Sequence, residues 1–598
     1  MIKQRRVAKG GFVAGVALLV SLVLTGLGSS VAGAAQSGAG MAVARSDMAI
    51  FDIDAGKPAD PTNFNPYGPN TVTDGGLTQA VFEPLFVTNL VTGKQDGWLA
   101  TGVVPLQGAK VWRLSLRKGI TWSDGKPFTA DDVVFTVQLL QKNPDLNSPN
   151  KFPGVRVSKV NTRTVQFTLE KADPRFALSY LSGGLPSRTL WVLPKHIWSK
   201  VADPVKFTNY DPAKGWPVGT GAYPLKSAGT TSFTYGRNPK WWGKTSGFRP
   251  LPAPKELRWV ALGTEETRAA AMASNDLDTG SNFSVGAYLA LAARNNKIGA
   301  WSSGSPYGFV DICPRQLDFN TQDPVWSNPR LRWAVSYAIN RRAIINVVFQ
   351  GASEGSLTML PAFPGLAKYP KLLAKAGVFK QYPITTTSAA RARQAIESQG
   401  YTLKGSTYQK AGSNLSLEIT TFDDPNMVGI ASTIAEQLRQ VGIDASVRKQ
   451  TIPNFIDSLL GGKFEANVFF GACGSTVDPW QSMDAYNVSR YVPSGQNAAG
   501  FYSNTFRWNT PAATSYSKVV NAIGQAVPGS PKIGSGFVQA MKIWYSELPS
   551  IPLIQYEQIN PTNSTYWTGW PTKTSPYVHP GFATPAMTLV IHNLKRAR

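Results

Sequence analysis

Two pairs of adjacent carboxylates, Asp131-Asp132 and Asp423-Asp424, are residues in this sequence whose types could support acid–base chemistry. One carboxylate of such a pair can donate a proton while the other accepts one, but neighbours of this kind at helix starts or turns more often cap the backbone. The sequence also lacks the motifs of a serine-hydrolase elbow, a zinc protease, a P-loop and an EF-hand. It therefore predicts no enzyme and no catalytic residues.

The cysteines and histidines are too few and too scattered to predict a metal site. The chain has two cysteines, Cys313 and Cys473, and three histidines, His196, His579 and His592. No Cys-x-x-Cys pair is present, so we expect no metal and no cofactor. In an oxidising compartment the cysteines could form a disulfide, which would stabilise the fold by roughly 5 kcal/mol because it closes a long loop. Two separate buried thiols fit the sequence at least as well.

Composition and charge favour a large, globular, basic protein. Of 598 residues, 42% are hydrophobic and 16% are charged, which predicts substantial cores and two or three domains. The net charge of +24 comes mostly from scattered residues, and only positions 3–9 and 595–598 are densely basic. Scattered positive charge reflects solubility or an anionic cell surface more often than a nucleic-acid partner. The 17 tryptophans suit ligand stacking as well as core packing.

The elements that would position functional residues are clearest over the range 111–140. Apolar and polar residues alternate from Val111 to Arg117, which predicts a strand. Asp124-Gly125 then predicts a tight turn. Thr129 and Asp132 have the spacing of a capping box, and the apolar positions that follow predict a helix.

Further along the chain, strand and helix patterns alternate as in α/β proteins. Leu415–Thr420 and Ala445–Val447 have strand patterns, and Ile430–Val441 between them has a helix pattern. This spacing predicts a right-handed crossover between parallel strands. Asn328-Pro329 predicts the start of another helix, with Asn as the cap and Pro in the first turn.

Several of these stretches, taken in order, resemble the family 5 extracytoplasmic solute-binding proteins, which capture peptides, oligosaccharides or nickel for ABC importers. The resemblance extends over most of the chain from Asp47 to Leu594. The stretches that carry it are Val81–Phe86, Trp98–Ala100, Val111–Leu140 and Leu331–Arg341.

The resemblance implies an α/β, two-lobed periplasmic-binding-protein-like fold of the class II type, with an additional N-terminal subdomain and a hinge between the lobes. We expect crossovers near 303–312 and 553–560 to form that hinge. The expected parts are lobe I over 46–302 with its extra subdomain at about 87–215, lobe II over 303–555, and a C-terminal return to lobe I over 556–598.

The ligand class depends on a short segment that ends at Asp478-Pro479. Peptide receptors of this family typically hold the free amine of the peptide with an aspartate three residues before that position, where this chain has Ser475. A serine cannot offset the charge of a buried ammonium group. Asp478 could substitute, although the family pattern favours a turn role. Pro194–Trp198 and Tyr566–Tyr577 resemble the oligosaccharide-binding branch, so we favour an oligosaccharide over an oligopeptide.

Aromatic and neutral polar side chains suit sugar recognition. The candidate ligand-binding residues are Asn65, Tyr67, Cys473, Gly474, Ser475, Asp478, Trp480 and Trp508. The expected partners are a small oligomeric ligand and the permease subunits of an ABC importer, with no nucleic acid, and the protein is expected to be a monomer.

Residues 1–45 are expected to direct export. Lys3, Arg5, Arg6 and Lys9 precede an apolar stretch and small residues that fit a cleavage site. The segment is a signal peptide or an uncleaved anchor, and because it contains no cysteine we expect no lipoprotein. Two other hypotheses are a membrane-tethered binding or sensory protein of the same fold with no transport role, and a secreted hydrolase, against which the absent motifs argue.

Overall fold

Several helices and strands of this fold begin at the residues that the sequence patterns predict. The structure is a computed structural model, and it describes residues 43–598 except 54–57, 59, 69–70, 73–74, 147, 149–150, 183–188, 471, 501–502 and 582–584. The predicted signal peptide or anchor over 1–45 lies almost wholly outside the described residues and stays a prediction. At the start of the first helix, Thr129 accepts a hydrogen bond from the Asp131 N–H, and the Asp132 carboxylate accepts one from the Thr129 N–H. The predicted capping box is therefore confirmed.

The first half of the described chain contributes most of one lobe. Its strands are β1 (Met48–Asp52), β2 (Phe86–Thr88), β3 (Gln95–Gly97), β4 (Ala100–Leu106), β5 (Val111–Leu116), β6 (Val155–Asn161), β7 (Thr164–Leu169), β8 (Leu225–Ala228), β9 (Ser232–Gly236), β10 (Glu256–Val260), β11 (Ile298–Gly299) and β12 (Phe309–Val310). Its helices are α1 (Ala130–Lys142), α2 (Lys195–Trp198), α3 (Trp242–Thr245), α4 (Glu265–Ala273) and α5 (Val285–Arg294).

Two sheets organise this half. An antiparallel sheet has the order β4-β5-β7-β6, and a mixed sheet has the order β1-β10-β9-β8, in which β1 and β10 are parallel. The alternation predicted for the strand at 111–117 is seen in β5, where Leu114 and Leu116 are buried and Arg113 and Ser115 are exposed. The buried face therefore belongs to the core, as period-two patterning requires.

The second half contributes the other lobe. Its strands are β13 (Arg315–Phe319), β14 (Glu354–Gly355), β15 (Thr402–Lys404), β16 (Thr407–Lys410), β17 (Ser413–Asn414), β18 (Ser416–Phe422), β19 (Asp444–Gln450), β20 (Ala466–Phe470) and β21 (Ser550–Gln555). Its helices are α6 (Pro329–Ala338), α7 (Arg341–Phe349), α8 (Lys368–Lys375), α9 (Val378–Gln381), α10 (Ala389–Glu397), α11 (Pro425–Gln440), α12 (Ile452–Gly461), α13 (Trp480–Asp484), α14 (Pro511–Gln525) and α15 (Pro531–Glu547).

One sheet with the order β14-β21-β13-β20-β18-β19 forms the centre of this half. β18 and β19 are parallel and joined through α11, so the predicted parallel crossover is confirmed. Asp424 caps α11 by accepting a hydrogen bond from the Met427 N–H. Asp132 and Asp424 thus both serve as helix caps, as expected for such carboxylate pairs.

The chain ends with β22 (Glu557–Gln558), β23 (Thr562–Asn563), β24 (Trp567–Thr568), α16 (Ala586–Asn593) and β25 (Lys595–Arg596). The buried residues from Trp567 to Leu594 join the core built on β1 to β10 and α1. A separate core contains most of the buried hydrophobic residues from Leu317 to Tyr556, together with Leu90. We call the part built on the first core lobe I and the part built on the second core lobe II.

The fold is thus α/β and two-lobed, as predicted, and short strand pairs mark where the chain passes between the lobes. Val310 in β12 lies opposite Glu557 in β22, and Gly299 in β11 lies opposite Thr562 in β23. The predicted domain boundaries and the hinge motion at these crossings remain predictions.

Candidate functional site

The segment from Cys473 to Trp480 follows β20 and reaches the contact between the two lobes. Arg315 in β13 lies opposite Phe470 in β20, so the residues just outside these two strands are brought together. Cys313 and Cys473 occupy those positions and form a disulfide with an S–S distance of 2.07 Å. The beginning of the segment is therefore held to the edge of the lobe II sheet.

Hydrogen bonds and one glycine shape the middle of the segment. The Ser475 hydroxyl accepts a hydrogen bond from the Ser482 N–H at 3.0 Å, and the Ser482 hydroxyl accepts one from the Ser475 N–H at 3.4 Å. Gly474 has a φ of 111°, a value that disfavours any residue with a Cβ. Ser475 thus orders the turn into α13 and is buried.

Asp478 is bound by a residue of lobe I. The Arg175 guanidinium forms a bidentate ion pair with its carboxylate, with Nε–Oδ1 and Nη2–Oδ2 distances of 3.2 and 2.9 Å. Both side chains are almost fully buried, at 2% and 5% exposure. Arg175 also lies over the ring of Trp480, with its Cζ 5.6 Å from the ring centroid. The ion pair therefore connects the lobes at this segment.

A second contact between the lobes is formed by the loop between β2 and β3. Leu90 in this loop is buried in the core of lobe II. Gly93 has a φ of 71°, and a Cβ added there would lie 2.1 Å from Val477 Cγ1, so only glycine fits without movement. The Asn89 amide donates a hydrogen bond to the Tyr577 carbonyl at 2.7 Å, which holds the loop to the C-terminal tail.

Aromatic side chains from both lobes meet near the crossing at β12. The Phe309 ring stacks on His579 and Phe363, with centroids 5.4 and 5.9 Å apart, and Trp301 packs edge-on against Phe309 at 5.1 Å. Burial lowers the pKa of His579 to about 3, so its ring is neutral at neutral pH. This aromatic cluster therefore brings no positive charge to the crossing.

The same crossing contains polar groups that link the lobes. The Tyr556 hydroxyl contacts the side-chain amides of Asn282 at 2.9 Å and Asn426 at 3.4 Å. Burial, with a further contribution from Glu354 and Asp311, raises the pKa of Glu557 to about 8. The Glu557 carboxyl is thus largely protonated at neutral pH, so Glu557 itself adds little negative charge to the crossing.

Five of the eight predicted ligand residues lie together in the segment from Cys473 to Trp480. They are Cys473, Gly474, Ser475, Asp478 and Trp480. Asn65, Tyr67 and Trp508 lie elsewhere, and their side chains form hydrogen bonds or ring contacts inside the two lobes. The Asn65 amide donates to the Pro204 and Phe207 carbonyls, and the Tyr67 hydroxyl donates to the Trp191 carbonyl. Trp508 packs against Tyr486 and Tyr516 inside lobe II.

Sequence reasoning missed Arg175, Phe309, Phe363 and His579. No local pattern distinguishes them, because their partners are far away along the chain; Arg175 and Asp478 are 303 positions apart. Within the described ranges, no group of three or more His, Cys, Asp or Glu residues could hold a metal ion.

No helix in the described part of the chain is long and apolar enough to cross a membrane. Residues 1–42, which form most of the predicted signal peptide or anchor, lie outside the described part of the chain.

Comparisons with known proteins agree with this architecture. The family described as "Bacterial extracellular solute-binding proteins, family 5 Middle" matches residues 94–492. A glutathione-binding protein of Salmonella choleraesuis is 24% identical over 76% of this chain and 81% of its own length.

Two solved structures share the fold. A periplasmic oligopeptide-binding protein of an oligopeptide ABC transporter from Thermotoga maritima superposes with a TM-score of 0.80 and 22% identity, covering 92% of this chain and 99% of that one. A mannohexaose-bound structure of the same Thermotoga protein gives a TM-score of 0.75 at 22% identity over 93% and 99% of the two chains. Because the family match covers well over half of the sequence, the chain belongs to family 5 of the bacterial extracellular solute-binding proteins, the non-enzymatic substrate-binding components of ABC importers.

Proposed function

We propose that this protein captures a neutral oligosaccharide, in preference to an oligopeptide, between its two lobes and delivers it to the permease of an ABC importer. The segment from Cys473 to Trp480 carries the proposal, because it lies at the contact between the lobes and offers no free charge. Ser475 is uncharged and bonded to Ser482, and Asp478 is paired with Arg175.

Aromatic surfaces support a carbohydrate ligand. Trp480 is partly exposed at the lobe contact, and Trp301 and Phe309 are partly exposed near β12. Sugar rings present faces of C–H groups that pack well on aromatic rings, while neutral polar groups fix their hydroxyls. The Thermotoga relative with the same fold was solved with mannohexaose, which is consistent with such a ligand in this architecture.

Export and monomeric action complete the proposal. Members of the family act outside the cytoplasm, and residues 1–45 would serve as a signal peptide or anchor. The predicted lobe boundaries, 46–302 with 556–598 and 303–555, would let two rigid bodies close on the ligand about the crossings at β12 and β22. Closure would be stabilised only by the difference in ligand affinity between the closed and open forms.

A thermal-shift panel tests the proposal. Purified protein is heated with short β-linked gluco- and manno-oligosaccharides, and separately with peptides of matched length. A ligand at about 100 times its Kd adds about 2.7 kcal/mol to the free energy of unfolding, which for a chain of this length is a Tm rise of about 2 °C. We expect a rise with at least one oligosaccharide. A rise with peptides alone would contradict the proposed ligand class.

A further inference from the structure

The Arg175–Asp478 pair leaves almost no hydrogen-bonding capacity unused. Besides its two bonds to the carboxylate, Arg175 donates from Nη1 to the Gly524 carbonyl at 2.7 Å and to the Ala526 carbonyl at 2.8 Å. These carbonyls lie at the C-terminal end of α14, where the helix dipole favours a cation. Four of the five guanidinium donors are thus engaged by lobe II.

The carboxylate is equally committed. Asp478 Oδ1 accepts from Arg175 Nε and also from the Trp480 N–H at 3.0 Å, while Oδ2 accepts from Arg175 Nη2. A ligand ammonium group could reach this carboxylate only by displacing Arg175. It would then leave a buried guanidinium without its counter-charge, which is strongly unfavourable.

The pair therefore cancels its own charge at the place where the lobes meet. A neutral ligand avoids the cost of burying an unpaired charge in such surroundings, whereas a cationic ligand must be desolvated without a free counter-charge. An anionic ligand gains little, because Arg175 is saturated by lobe II.

We propose that Arg175 determines the charge class of the ligand: by occupying Asp478 from the opposite lobe, it excludes ligands that bind through an ammonium group. This inference rests on the proposed function, since it assumes that the ligand contacts the segment from Cys473 to Trp480. It makes Arg175 a positioning and specificity-determining residue that acts through Asp478.

The test uses pairs of ligands whose members differ only in the acetylation of their amines. One pair is a short peptide and its N-acetylated form, which differ at one amine. The other is a chitin trisaccharide and its fully deacetylated form, which differ at three. Binding of each is measured by calorimetric titration to the wild-type protein, to Arg175→Gln, and to Arg175→Gln/Asp478→Asn. The control is Arg156→Gln, which removes one positive charge from an exposed position on β6.

In Arg175→Gln, the Asp478 carboxylate loses its counter-charge and becomes available to a ligand amine. We expect the affinity ratio of amine to acetylated ligand to rise about tenfold or more over wild type, since a charge-assisted hydrogen bond becomes available. The ratio should return to the wild-type value in the double variant and stay unchanged in Arg156→Gln. A purely structural role would lower all affinities together and leave the ratio unmoved.

An unchanged ratio in folded Arg175→Gln overturns the inference. If that variant fails to fold, Asp478→Asn alone decides. A selective loss of affinity for the amine-bearing ligands would show that Asp478 already binds an amine in the wild-type protein, and would overturn the inference. Equal changes in affinity for both members of each pair support it. Failure of the proposed function has a different signature, because the wild-type protein would then bind no oligosaccharide at all.

Discussion

Replacing Arg175 with methionine tests whether the lobes meet through a buried ion pair. The change removes four hydrogen bonds to lobe II and leaves the carboxylate of Asp478, only 5% exposed, without its cation. Breaking a buried pair in this way costs about 3–5 kcal/mol in the free energy of unfolding, because the remaining charge stays buried and uncompensated.

The double variant Arg175→Met/Asp478→Leu separates the cost of a stranded charge from the value of the pair. Replacing both partners by apolar side chains of similar size is often close to neutral. The recovery should nevertheless be partial, because the Gly524 and Ala526 carbonyls also lose their donor, at about 1–3 kcal/mol for a buried polar group left unpaired.

Lys159→Met is the matched control. Lys159 and Asp131 form an ion pair at 2.6 Å, but their side chains are 41% and 40% exposed. Exposed pairs contribute about 0–1 kcal/mol. Differential scanning calorimetry and urea unfolding of the four proteins supply the comparison. If Arg175→Met costs no more than Lys159→Met, the buried contact between the lobes does not exist in solution.

Three further predictions concern the disulfide, the crossing and the lobe contact. Replacing Cys313 and Cys473 by serine removes a cross-link over 160 positions, so stability should fall by about 5 kcal/mol in the chain-entropy model; equal Tm values with and without reductant in the wild-type protein would contradict this. Glu557 has a folded-state pKa raised to about 8, so it contributes stability that is present at acidic pH and lost as the pH rises through 8; Glu557→Gln should flatten this decline in Tm, and an identical pH profile would refute the burial of its carboxyl. Leu90→Ala should cost about 2–5 kcal/mol because Leu90 is buried in the core of lobe II, whereas Leu289→Ala, at a 41% exposed position, should stay within about 0.5 kcal/mol; equal calorimetric losses would argue against the Leu90 contact.

Local signals made much of the fold predictable. The capping box at Thr129 and Asp132, the Asn328-Pro329 helix start and the crossover from β18 to β19 all depend on residues close together in sequence. Such signals act within a few residues or within one supersecondary unit, so a single sequence displays them.

The candidate site was only partly predictable, because its chemistry arises between distant parts of the chain. Ser475 and Asp478 were recognisable as residues of a decisive segment, but the state of Asp478 depends on Arg175, in a loop after β7 that bears no motif. Tyr67 and Trp508 are aromatic residues of the kind that often contact ligands, but in the structure both are buried in the cores. Aromatic residues fit both roles equally well until their surroundings are known.

Capture of a neutral oligosaccharide at the lobe contact is tested most directly by calorimetric titration. The wild-type protein and Trp480→Ala are each titrated with mannohexaose and with a peptide of similar length. We expect saturable, one-to-one binding of a neutral oligosaccharide that weakens in Trp480→Ala, with no comparable binding of the free-amine peptide. Tight peptide binding without oligosaccharide binding, or oligosaccharide binding that Trp480→Ala leaves unchanged, would contradict this expectation.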